Sequence, residues 1–230
     1  MGNETTWTPY GEKMMEQLQG LGPAESDSLV PAAGGGSIKA LSAEKIEKIG
    51  IAEFTADGGV HYGMCTVIAE ADYVLPIFFS RWEEREGEIN FTVDVMPTVD
   101  TLVDEAYRVK YIEPMGEYWD KFGKLAGTRP EEDDELRSVC SIIYTSGKMP
   151  IEKEGMRLAA LAPHTQYLKS YAAYVQAAEQ GADSAKLCEV QRKTARVREV
   201  LKSYARKMLA GPAGTAVGKE NEEKLLSILF

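Results

Sequence analysis

Glu53 is the carboxyl in this sequence best set for acid chemistry. It stands in GIAEFTA (50–56), among Ile51, Phe54 and small residues. A carboxyl facing an apolar cleft has its pKa raised, so that it holds a proton near neutrality and can deliver it; on a solvent-facing side it would be an ordinary strand residue. His61 follows across a short turn and could orient a substrate carbonyl or relay a proton, or be a plain core or surface histidine. His164, directly after Pro163, is the second imidazole. Arg81, in LPIFFSRW, offers a guanidinium to a ligand carboxylate. Asp94 either enters a cleft or meets solvent, and its place near a strand end favours solvent or a capping role. Arg192 and Arg196 are four apart and share a helix face. That face suits gripping paired carboxylates or docking an acidic electron carrier, unless it is simply a solvated basic face.

The elements that must position these groups begin with residues 73–97. An apolar and aromatic run to Trp82, a charged turn at 84–87 and an alternating run at 88–95 read as a hairpin. Ile89, Phe91, Val93 and Val95 fall on one face, Asn90, Thr92 and Asp94 on the other. Residues 50–56 and 60–69 read as two earlier strands around Asp57-Gly58-Gly59. Strands joined by such short links form an antiparallel sheet, because parallel neighbours need long crossovers.

Around this sheet the sequence predicts an amphipathic helix within 1–21, a Gly/Pro-rich loop over 22–37 and a short helix from Ser42 to Ile49. The triple glycine 34–36 lacks the GK[ST] of a phosphate loop. Residues 99–122 read as short helical pieces, with Tyr107, Tyr111, Tyr118 and Trp119 packing in core and surface. Residues 128–135 read as an acidic loop and 136–151 as one or two strands. Helices follow over 155–180, 185–209 and 220–230, with Gly211-Pro212 ending the second. Strands first and helices after argue for an α+β layer sandwich. The expected organisation is an N-terminal helix and loop (1–37) followed by one sandwich domain (38–230).

Composition narrows the function classes. The chain has 230 residues, 44% of them hydrophobic, and a formal net charge of −10, which argues against a general nucleic-acid binder. No apolar run has the length of a membrane helix and no signal-type start is present, so no membrane partner and a cytoplasmic location are expected. Cys65, Cys140 and Cys188 lack metal spacing and read as reduced structural thiols. No dinucleotide fingerprint or zinc motif occurs. Against the acidic background, 186–207 carries eight basic residues and only Glu189 and Glu199 as acids, a local basic helix.

The segments LPIFFSRW, INFTVDVMPTVD, EAYRVKYIEPMGEYWDKFGKL, LRSVCSIIYTSGKMP and QRKTARVREVL resemble those of the ferredoxin-dependent bilin reductases, and in the middle part those of red chlorophyll catabolite reductase. The resemblance spans roughly 46–230. It implies a three-layer α/β/α sandwich with a central antiparallel sheet and a cleft between sheet and C-terminal helices. It further implies a linear tetrapyrrole substrate, an external ferredoxin-like acidic electron donor, proton donation by carboxylates, and no bound flavin, nicotinamide or metal. Glu53 matches the glutamate these families carry on the first sheet strands and would protonate a substrate radical anion, with His61 assisting and Arg81, Asp94, Arg192 and Arg196 on the ligand. The chain departs from the pattern at Arg81 and at Thr194-Ala195, where bilin reductases place aspartates. A non-catalytic tetrapyrrole carrier on the same fold, which these departures favour, and a protein-binding module built on the basic helix are the alternatives.

Overall fold

The computed structural model describes residues 9–33, 35–123, 131–151 and 154–230. Its centre is one seven-stranded antiparallel sheet in which every strand lies beside its predecessor. The strands are β1 (Ala24–Leu29), β2 (Gly36–Ala43), β3 (Ile46–Ala56), β4 (Val60–Ala69), β5 (Ile77–Arg85), β6 (Glu88–Met96) and β7 (Thr145–Pro150). Gly58 and Gly59 turn β3 into β4 at φ 78° and 71°, and Glu86-Gly87 turns β5 into β6 at φ 53° and 79°. This left-handed region is where glycine carries no steric penalty.

Alternation along the strands gives each face its own core. Ile51, Cys65, Val67, Phe78, Trp82, Phe91, Val93 and Val95 meet α1 (Pro9–Gln19) and α5 (Glu154–Ala177). Between β6 and β7 the chain adds α2 (Glu105–Tyr107), turns through 108–115, α3 (Gly116–Phe122) and α4 (Asp134–Arg137). Tyr107 and Tyr111 pack edge to face at 5.0 Å within the α5-side core. Ala52, Phe54, Met64, Phe79 and Met96 meet α6 (Ser184–Leu209), α7 (Pro212–Val217) and α8 (Glu222–Leu229) on the other face. The result is the expected three-layer α/β/α sandwich. A Cβ on Gly50 would lie 2.5 Å from Leu229 Cα, so the end of α8 rests directly on the β3 backbone.

The N-terminal side of the sheet corrects the sequence reading. Residues 22–37 are not a loop: Ala24–Leu29 pairs with β2 as an edge strand, its residues nearly all exposed. A strand with no apolar face has no period-two signal to read. Ser42 to Ile49 is not a helix but the β2–β3 hairpin, with Lys45 at φ 66°. Ile46 and Ile49 are both buried in the α5-side core although three residues apart; a bulge between Ile46 and Lys48 shifts the register and produces that helix-like spacing. Only β7, preceded by α4, forms in 136–151, and Pro163 lies well inside α5. Residues 1–8 of the predicted first helix, Gly34 of the triple glycine and 128–130 of the acidic loop lie outside the described residues.

Candidate functional site

The strand registers place Glu53 opposite Ser37 and Gly63, Gly63 opposite Trp82, and Trp82 opposite Phe91. Glu53 is thus on the α1/α5 face, 3% exposed. His61 is on the same face near one end of the sheet, where its Nδ1 lies 2.9 Å from Thr55 Oγ1. Glu84, opposite His61 on β5, accepts two hydrogen bonds from the Arg157 guanidinium at 2.8 and 2.5 Å. At the centre of this face Tyr10 of α1 is 2.6 Å from Ser80 Oγ, which is 2.6 Å from His164 Nδ1. Burial, joined by the charge of Arg81, pushes His164 down to about 3, so its ring is neutral at physiological pH. The rings of Tyr10, Trp82, His164 and Phe91 fill the space above the strands.

Arg81 faces the other way. Its guanidinium meets Glu131 at 3.0 Å, both side chains buried, and lies 5.5 Å from the Tyr204 ring. Thr92 donates to the same carboxylate oxygen. Burial works against the charge on Glu131, but Arg81 and the hydrogen bonds outweigh it and hold the carboxyl below its ordinary value. The charge of Arg81 is therefore matched inside the protein. No pattern in the sequence marks Glu131 as this partner, because it comes from a connection remote from the sheet strands.

Asp94 is also on the α6 side, and here the expectation of solvent is corrected: the residue has no exposed surface. Its Oδ2 accepts from Ser141 N at 2.7 Å and its Oδ1 from Ser141 Oγ at 2.5 Å. Burial outweighs these bonds and pushes the carboxyl up to about 6. The 138–140 segment beside it, with Pro97 and α6, borders an open cavity of about 430 Å³ lined by Val139, Cys140, Arg192, Lys193, Arg196 and Val197. Arg192 and Arg196 thus converge on one cavity, joined by Lys193. A second cavity of about 650 Å³ opens across α6 near Thr194 and Ala195 and carries Glu47, Glu70, Asp72 and Glu199 beside Arg198 and Lys202.

The six sequence-predicted residues therefore divide. Glu53 and His61 share the α1/α5 face, while Arg81, Asp94, Arg192 and Arg196 are on the α6 side. Among the described residues no group of three or more His, Cys, Asp or Glu could hold a metal ion, and no helix is long and apolar enough to cross a membrane.

No protein-family model matches the chain, and no curated protein matches it in sequence. Its fold is similar to that of a solved structure, phytochromobilin synthase from tomato in complex with biliverdin. The TM-score is 0.71 over 94% of this chain and 79% of that one, at 14% sequence identity. This establishes a shared fold.

Proposed function

We propose that the protein binds a linear tetrapyrrole, or a similar large conjugated carboxylate, beside α6 and reduces it with electrons taken from a ferredoxin-like carrier, with no resident cofactor. The observation that carries this reading is the convergence of Arg192, Lys193 and Arg196 on a cavity whose other walls include Pro97, Val139, Cys140 and Val197. Cations for carboxylates next to apolar surface for a conjugated system are what such a ligand needs. The likeness to a synthase solved with biliverdin adds support. The exposed Arg192 and Arg196 also suit the approach of an acidic carrier.

A non-catalytic tetrapyrrole carrier is the second reading, and one observation favours it. Glu53 and His61 face α1 and α5, so a ligand held by Arg192 and Arg196 has the sheet between itself and that proton donor. Purified protein is mixed with biliverdin and then with reduced ferredoxin, and the absorption spectrum is followed. Further spectral change on adding the reductant supports the reductase, a shifted spectrum that then stays constant supports the carrier, and no shift at all refutes both. Turnover that survives Glu53→Gln would remove Glu53 as the donor.

A further inference from the structure

We propose that Asp94 and Ser141 are positioning residues for the ligand: they clasp the 138–140 wall of the α6 cavity to the sheet and so set its separation from Arg192 and Arg196. The inference rests on the tetrapyrrole reading of that cavity. Neither residue lines the cavity, but Cys140, the neighbour of Ser141, does. Three hydrogen bonds make the clasp. Asp94 Oδ2 accepts from Ser141 N at 2.7 Å, Asp94 Oδ1 accepts from Ser141 Oγ at 2.5 Å, and Ser141 Oγ accepts from the Ile143 N–H at 3.2 Å.

Asp94 is a fixed anchor, because its strand β6 is paired with β5 on one side and β7 on the other. Apolar burial does not hold this corner of the chain, since Ile142 is 80% exposed. At the far end of the same connection Arg81 holds Glu131, and Leu136 between the two is buried in the α6-side core. The connection is thus fastened at 131 and at 141, and the cavity wall lies directly before the second fastening. Burying a carboxylate is costly; what it supplies here is direction, two acceptors in one plane for both donors of a single residue. The helix opposite is held by other parts of the chain. Glu189 accepts from Asp100 N at 2.8 Å, and Arg198 meets Glu47 of β3 at 2.5 Å. These ties lie on either side of Arg192 and Arg196, so loosening the clasp moves the wall and not the cations.

The test compares the parent chain with Ser141→Ala and Asp94→Asn, all carrying Cys188→Ser so that the exposed thiol is absent. Labelling by N-ethylmaleimide without pigment reads how far the wall opens at Cys140, since Cys65 is fully buried. Absorbance titration with biliverdin reads affinity, and induced circular dichroism at saturation reads the shape of the bound pigment. In Ser141→Ala the labelling is expected to be about tenfold faster and biliverdin to bind about tenfold more weakly, with altered dichroism in both variants. A role confined to stability would lower the unfolding midpoint and leave affinity and dichroism as in the parent. Parent-like affinity and dichroism in folded Ser141→Ala, or an unchanged labelling rate, therefore overturn the proposal. Faster labelling in a protein whose parent form gives no spectral response to biliverdin overturns the tetrapyrrole reading, and the positioning role with it, and keeps the clasp. Should Asp94→Asn fail to fold, Ser141→Ala, which retains the carboxylate and its bond from the backbone N–H, decides the matter.

Discussion

Arg81 on β5 and Glu131, remote in sequence, meet at 3.0 Å with both side chains buried, while Thr92 donates to the carboxylate and the Tyr204 ring lies beside the guanidinium. The pair ties the 131–137 connection to the middle of the α6 side of the sheet. Removing one member leaves the other as an unmatched buried charge, so Arg81→Ala and Glu131→Ala are each expected to lower stability by about 3–5 kcal/mol. Arg81→Met combined with Glu131→Leu should recover most of that loss. Urea unfolding measures all three, and a double variant less stable than either single one would contradict this account.

Asp94 and His164 bind protons with opposite effect on folding. Asp94 is pushed up to about 6, against about 3.9 in an unfolded chain, so its contribution is fully present below about 4 and is lost as pH rises through 6. His164 is pushed down to about 3, against about 6.5 unfolded, so its contribution is present above 6.5 and is lost as pH falls toward 3. Between about pH 4 and 6 the two slopes oppose each other at about 1.4 kcal/mol per unit each. Relative to wild type, Asp94→Asn is expected to lose stability more steeply on acidification through that window. Equal slopes in chemical unfolding at pH 4, 5 and 6 would refute the prediction.

Gly63 has no room for a side chain, since a Cβ there would lie 1.8 Å from Trp82 Nε1. Gly63→Ala is expected to cost about 1–3 kcal/mol through displacement of the indole. Thermal unfolding and a shift in tryptophan emission check it, and Trp82→Leu in the same chain should return part of the loss.

Arg192 and Arg196 are exposed and contribute to the cavity, not to the core. The double substitution to Ala should leave unfolding stability within about 0.5 kcal/mol of wild type. Biliverdin affinity should fall about tenfold or more, and its salt dependence should flatten. Calorimetry at two ionic strengths measures both effects; unchanged affinity would place the pigment elsewhere.

The hairpin at 73–97, the strands around the Asp57-Gly58-Gly59 turn and the long helices were legible because each has a clear apolar period and a strong turn or stop signal. Alternation also separates Asp94 from Ile89, Phe91, Val93 and Val95, as the structure has it. What alternation within one strand does not supply is register between strands. Glu53 and Arg81 each sit in an apolar run, and only the pairing through Gly63 and Trp82 shows that they point to opposite layers. Long-range partners were equally hidden. Glu131 stands in the acidic loop, Ser141 in LRSVCSIIYTSGKMP and Tyr10 in the first helix, but none of these patterns names a partner, and their roles arise when connections and the first helix close over the sheet.

An open sheet ends in two strands with unsatisfied backbone groups, a ready template for another chain. Here β1 carries Glu25 and Asp27 with a register shift between them, and β7 carries Lys148 and ends at Pro150. Charges and irregularity on one border, and a cation and a residue without an N–H on the other, make continuation of the sheet by a further strand unfavourable. The weakly patterned edge strand that escapes recognition in the sequence thereby guards the fold against aggregation.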